Sequence, residues 1–420
     1  MGQTISEKIL ARASGKETVK PGDIVTCNVD LAMVHDSSGP RTSGKKLDEL
    51  GVPVWDMDKL VVIADHYVNL DTPESKNVQD ICDAWCEAHK VKHFIRNQGI
   101  CHIVLPQEGH IRPGMFCVGA DSHSTTAGAF GAFMVGVGAT EITGVMATGD
   151  IWVRVPENVR MEVTGALKPG VAAKDVILKI CGDHGIMGFG YQVVEFCGDG
   201  VTNMSAQDRM TLTNMAAEIG AKTGIIAPDA KTVELLKAWG ISGVNADDWQ
   251  SDADAVYVKR ITVDGSTLAP QVAAPSSPEN ADDVDNYPNV KLDQAYLGAC
   301  TGAKLEDLRM AAEVLKGKKV AAGTRFLVAP STIKMRELAA AEGTMKILED
   351  AGATILPSGC GGCIGLGDAR LAEDAVGISS TNRNFVGRAG PKSSKLYLAS
   401  PYTVAASAVA GQIADPRDML

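Results

Sequence analysis

Aromatic residues make up only 5% of this 420-residue chain, and its ten cysteines are too dilute for a disulfide framework. None of the cysteine spacings suggests a small secreted module, so a reducing compartment fits better. Basic residues are also short: 40 Lys and Arg face 51 Asp and Glu, a net charge of −11. No basic stripe runs along the chain, which argues against a broad grip on nucleic acid. An acidic protein that binds acidic substrates must instead gather a few Arg or Lys in a pocket. Long apolar runs are missing too. The longest, Ala127 to Ala139, falls short of the roughly 18 residues of a membrane helix and is broken by Gly128, Gly131, Gly136 and Gly138. The start, MGQTISEKILARAS, has no basic segment leading into an apolar run, so no secretory signal is read there. Thr4 with Glu7 reads instead as a capping box that opens a helix. These absences point to a cytoplasmic protein with no membrane span and no nucleic-acid partner.

What is present is an α/β pattern. Short β-rich runs at Leu60 to Ala64, Met115 to Val118, Arg325 to Val328 and Ala353 to Leu356 alternate with stretches of helical period. One helix is expected after Ser205, with Met210, Met215, Ala216 and Ile219 on its apolar face and Gly220 as its end. Another is expected after Ser331, stopping near Gly343. The length calls for two or three domains. Residues 265 to 290 combine Pro, Ser, Asn and Asp without periodicity and read as a solvated connection. No repeat of 20 to 50 residues is visible.

Three cysteines stand apart: Cys300 in LGACTGAK, and Cys360 and Cys363 in PSGCGGCIGLG. Small residues on both sides let backbone wrap closely around an inorganic centre. A CxxC alone could be a redox pair, half a zinc site or two buried small hydrophobes. The third cysteine favours a cluster, and no second CxxC or paired His completes a zinc site. Cys82 and Cys86, at i and i+4 of an apparent helix, read as core.

Polar residues gather where strands are expected to end: Asp65 and His66 after one apolar run, and Asp121, Ser122 and His123 after another. Each set could supply general acid–base chemistry or simply cap the following helix. His102 reads equally as a core or a catalytic histidine. Glu195 is a charge inside an apolar segment, so a cationic or His partner is expected for it. In TNRNFVGRAG, Asn382, Arg383 and Arg388 suit bidentate capture of carboxylates, with plain surface charge the alternative.

The pieces DH, GADSHSTTAGAFGAFMVGVGATE, ACTGAKLEDLR, CGGC and NRNFVGRAG occur in the order seen in the aconitase superfamily. The chain resembles a separate large subunit of the isopropylmalate dehydratase and homoaconitase branch, from about Val25 to Ala405. The resemblance implies three aconitase-like α/β domains with mainly parallel sheets around a central iron–sulfur cluster, at residues 1–156, 157–275 and 291–420, with a linker at 276–290. A fourth, swivelling domain would be missing. Cys300, Cys360 and Cys363 would hold a [4Fe-4S] cluster whose remaining iron meets the substrate. Asp65, His66, His102, Asp121 and His123 would be catalytic, with Ser122 among the substrate contacts. Glu195 would support an active-site His, Asn382 would adjoin the cluster, and Arg383 and Arg388 would bind substrate carboxylates.

The implied activity is reversible dehydration of a hydroxy di- or tricarboxylic acid, as in leucine biosynthesis. A heterodimeric partner of swivel-domain type would supply a base Ser and a further Arg. The first cluster motif departs from the usual Ser-Cys-Thr-Asn followed by Gly-Arg: here it is Ala299-Cys300-Thr301-Gly302 followed by Ala303-Lys304. Hydro-lyases acting on maleate, citraconate or dimethylmalate therefore compete with isopropylmalate dehydratase and homoaconitase as models. From another class, an iron-responsive binding protein is the rival, and the acidic composition speaks against it.

Overall fold

The computed structural model describes residues 2–68 and 70–420. Four sheets organise the chain in sequence order. The first is five-stranded and wholly parallel, in the order His93–Arg96, Leu60–Ala64, Leu31–His35, Phe116–Gly119 and Phe133–Gly136. An antiparallel ribbon of Ile24–Asn28 with Asp150–Arg154 flanks it. A four-stranded parallel sheet follows, ordered Thr223–Ile225, Val193–Cys197, Asn158–Thr164 and Lys259–Asp264. The last sheet has seven strands. Five are parallel: Lys395–Ala399, Val376–Ser379, Gln294–Leu297, Arg325–Val328 and Thr354–Ile355. Gln271–Ala273 and Ala281–Asp283 continue it antiparallel at one edge.

Strands buried on both faces read as continuous apolar runs, which is why Leu60–Ala64 was legible: all five of its residues are buried. Arg325–Val328 forms with the expected bounds, and the other two runs settle as Phe116–Gly119 and Thr354–Ile355. The Thr4–Glu7 capping box forms, with the Thr4 N–H donating to Glu7 Oε2 at 2.8 Å. The helix after Ser205 is α-helical over Ala206–Asn214 and tightens to 3₁₀ over Met215–Ile219 before Gly220 ends it at φ 78°. The helix expected after Ser331 is capped one residue later, by Thr332. Cys82 and Cys86 pack in the core beneath the helix Pro73–Ala88.

The expected linker at 276–290 needs correction. Ala281–Asp283 is a strand of the seven-stranded sheet, and Gln271–Ala273, expected to close the second domain, pairs with Lys395–Ala399. Neither segment has helical or alternating periodicity because the strands are only three residues long.

The first and third large sheets share one hydrophobic core, in which Met33, Ile63 and Met134 meet Leu297, Val328 and Ile378. That shared core fixes the two sheets against each other. Among the described residues no helix is long and apolar enough to cross a membrane.

Candidate active site

Open parallel sheets bind ligands where the strand order reverses, at the carboxyl ends of the two diverging strands. In the first sheet the order reverses between Leu31–His35 and Phe116–Gly119, and the chain leaves those strands into His35, Asp36 and Asp121. In the last sheet it reverses between Gln294–Leu297 and Val376–Ser379, which lead to Cys300 and to Asn382 and Arg383. The fold brings these two crevices together: the Cys360 N–H donates to the Asp65 carbonyl at 2.7 Å. A Cβ added at Gly361 would lie 2.9 Å from the His66 carbonyl oxygen, so the CGGC turn must be bare to reach the first domain.

Two carboxylate–imidazole arrays line the side of the five-stranded sheet. His66 Nδ1 lies 2.7 Å from Asp65 Oδ1, while Asp65 Oδ2 accepts the Cys101 N–H at 2.8 Å. Asp36 accepts the backbone N–H groups of His66 and Tyr67, and the His35 ring stacks on His66 with centroids 4.3 Å apart. Burial opposes a charged His66, but the Asp65 charge and the hydrogen bonds to Asp36 and Asp65 hold the imidazolium well above its ordinary range. His35 is pushed the other way, by burial and then by His66.

In the second array His102 Nε2 lies 2.7 Å from Asp121 Oδ1, which also accepts the His123 N–H at 2.8 Å. His123 Nε2 is 2.8 Å from Glu218 Oε1, and Arg383 Nε donates to both Glu218 oxygens at 2.9 and 3.0 Å. Against the cost of burial, His102 and then His123 keep Asp121 well below the usual carboxylate range. Burial likewise opposes the charged forms of His123 and Glu218, yet the bond to Asp121 and then that to Glu218 raise His123, while His123 and then Arg383 lower Glu218. Ser122 sits exposed at the start of the 3₁₀ segment Ser122–Phe130, which Asp121 caps.

On the side of the seven-stranded sheet the thiols converge on amides. The Nδ2 groups of Asn214 and Asn382 lie 3.1 and 3.4 Å from Cys300 Sγ, and Asn382 Oδ1 lies 3.6 Å from Cys363 Sγ. Asn382 also donates to Asn214 Oδ1. Arg388 Nε donates to the Cys363 carbonyl at 3.1 Å and its Nη2 lies 3.9 Å from Cys363 Sγ. The hydrogen bond from Cys360, with help from the Arg388 charge, holds the Cys363 thiol well below its ordinary range. Burial pushes Cys300 up to about 12.

Two buried ammonium groups back this centre. Lys304 pairs with Asp307 at 2.7 Å and reaches the Cys300 carbonyl. Lys174 donates to Thr301 Oγ1 and the carbonyls of Ser380 and Thr381, and burial lowers it to about 8. The departure at Gly302 also has a cause: a Cβ there would lie 2.0 Å from Ser380 Oγ, whose hydroxyl is bonded to Gly298.

The structure thus gathers Asp65, His66, His102, Asp121, Ser122, His123, Cys300, Cys360, Cys363, Asn382, Arg383 and Arg388 around one centre. Glu195 is not among them. Its Oε2 accepts from Ser251 Oγ at 2.7 Å and Tyr257 OH at 2.9 Å, on the second domain's sheet and away from any histidine. Hydroxyl groups, with the Arg160 and Arg260 charges nearby, meet the need for a buried partner for which a cation or a His was expected. Glu218 is the carboxylate that supports His123, and it was missed as one polar residue within an apolar helical stretch. His35 and Asp36 follow an apolar run just as Asp65 and His66 do, so the same signal announced them. Nothing local marked Asn214.

Residues 7–411 match the model of the aconitase family (aconitate hydratase). The chain is 46% identical to 3-isopropylmalate dehydratase large subunit 1 of Methanopyrus kandleri, with all of both chains covered. It is 44% identical to the protein of the same name from Pyrococcus furiosus, over 100% of this chain and 99% of that one. It is 42% identical to a probable methanogen homoaconitase large subunit of Methanothermobacter thermautotrophicus, over 98% and 97%. The crystal structure of Thermococcus kodakaraensis aconitase X in its holo-form shares the fold, with a TM-score of 0.51 and 14% identity over 86% of this chain and 84% of that one. The chain belongs to the aconitase family.

Proposed function

We propose that this chain is the large subunit of an iron–sulfur hydro-lyase of the 3-isopropylmalate dehydratase type. One observation carries the reading: a set of three thiols lies beside a double carboxylate–imidazole array, with the Cys360 N–H donating to the Asp65 carbonyl. Asn382 lies against both Cys300 Sγ and Cys363 Sγ, and Cys360 is the neighbour of Cys363 in the same turn. The three thiols suit a shared centre, and the positive charges of Lys174 and Arg388 beside them suit an anionic one.

Cys300, Cys360 and Cys363 would hold a [4Fe-4S] cluster. When bound, it offers one iron without a protein ligand as a Lewis acid for hydroxyl and carboxylate oxygens. The chain's own groups do the rest. His66, kept protonated by Asp65, can give a proton to departing hydroxide and take it back on hydration. Asp121 orients His102 and His123 together, and Glu218 aims the Arg383 fork, with Arg388 as the second carboxylate binder. Ser122 is free at the rim to bond substrate.

The relatives that it matches end to end are named large subunits, which supports a small subunit that supplies a base Ser and an Arg. The homoaconitase relative favours a second reading, with a longer tricarboxylate substrate. Purified chain with and without its small subunit, assayed anaerobically on 3-isopropylmalate, homocitrate, maleate, citraconate and dimethylmalate, separates these readings. Turnover of none by the pair, or full turnover by the chain alone, would refute the proposal.

A further inference from the structure

A second cluster of charged side chains lies on the four-stranded sheet, outside the site above. Arg160 and Arg260 are direct neighbours on the parallel strands Asn158–Thr164 and Lys259–Asp264, and Glu195 is the next residue in the same cross-strand row. Like charges set opposite one another destabilise a sheet unless something offsets them. The arginine ion pairs of the described residues involve Arg12, Arg96, Arg209, Arg309, Arg383 and Arg417. Arg160 and Arg260 are in none of them. Both guanidiniums lie over the Tyr257 ring instead, at 5.8 and 4.7 Å from its centroid.

The row opens into a cavity of about 440 Å³ lined also by Cys197, Gln250 and Ser251. Glu195 is buried in its wall, with one oxygen bonded to Ser251 and Tyr257 and the other taking no hydrogen bond among the described residues.

We infer that this cavity binds a small free α-amino acid, its carboxylate forked by Arg160 and Arg260 and its ammonium group on the open oxygen of Glu195. The guanidinium pair supplies the planar donors that a carboxylate accepts two at a time. Glu195, with Asp252 also in the lining, decides against a dianion such as phosphate, because negative groups in the wall repel a second charge on the ligand and welcome a positive one. The inference does not depend on which hydroxy acid the enzyme turns over.

Isothermal titration calorimetry of the intact chain against each of the twenty amino acids tests it, with inorganic phosphate and the α-hydroxy analogue of the tightest amino acid as probes. Saturable one-to-one binding of at least one amino acid is expected, with the hydroxy analogue and phosphate weaker by about tenfold or more. Arg260→Gln, on an exposed strand position, should weaken it by a similar factor while the melting curve stays in place. Glu195→Gln should close the gap between the amino acid and its hydroxy analogue. No saturable heat from any amino acid at millimolar concentration, unchanged affinity in Arg260→Gln, or phosphate binding as tightly as the amino acid would each overturn the inference.

Discussion

Glu218→Gln isolates the group on which the proposed site turns. Glu218 is 3% exposed and holds two partners at once, His123 Nε2 at 2.8 Å and Arg383 Nε at 2.9 Å. Gln keeps the size and one acceptor oxygen but removes the charge from both contacts. Each charge-assisted bond is worth about 1 kcal/mol more than a neutral one, and Arg383 is left part-buried without its counter-charge, so a loss of about 2–4 kcal/mol follows at neutral pH. The pH dependence has a definite sign. Glu218 is lowered in the folded state, so its contribution is present above the unfolded carboxylate range and disappears as pH falls through the folded value. His123 is raised, so its contribution is full below the ordinary imidazole range and disappears as pH rises through the folded value. The penalty of Glu218→Gln should therefore be largest between those limits and shrink at either end. Urea unfolding of wild type and variant across pH 4 to 9 reads it. Turnover should fall by about 10²-fold or more, since the guanidinium and the imidazole both lose their orientation. Glu218→Asp should recover part of it, and Glu195→Gln should cost turnover far less than Glu218→Gln. Equal stability and turnover for Glu218→Gln and wild type would show that this carboxylate positions nothing.

Replacing Cys300, Cys360 or Cys363 by Ala should abolish cluster binding, read as loss of about four iron and four sulfide per chain, whereas Cys82→Ala should retain both. Stoichiometric zinc without an iron chromophore in the wild type would contradict the assignment. Arg383→Lys keeps a charge but replaces a fork by a point donor, so kcat/KM should fall by about tenfold or more; unchanged constants would return Arg383 to a surface role. Gly302→Asn restores the residue common in the family's first cluster motif, yet it should destabilise this chain by about 1–3 kcal/mol in urea unfolding because of Ser380, and Ser380→Gly should relieve the penalty.

The fully buried strands, the Thr4 and Ser205 caps and the turn-borne cysteines were determined by local chemistry and could be read from the chain itself. Short-range patterns encode what short-range physics decides: burial on both faces, a side-chain oxygen at a helix start, bare backbone in a turn. The two strands at 271–273 and 281–283 escaped because three residues carry no period, and the first of them joins the sheet through a segment more than a hundred residues away. The same holds for the site. Asp65 beside His66 is a sequence neighbour and was visible, but His102 meets Asp121, and His123 meets Glu218, only through tertiary packing. Glu195 and Glu218 are both carboxylates in apolar surroundings, and the chain alone has no means of telling which will face a histidine. That choice belongs to the tertiary structure, because a buried charge takes whatever donor the fold delivers: two hydroxyl groups in one case, an imidazole and a guanidinium in the other.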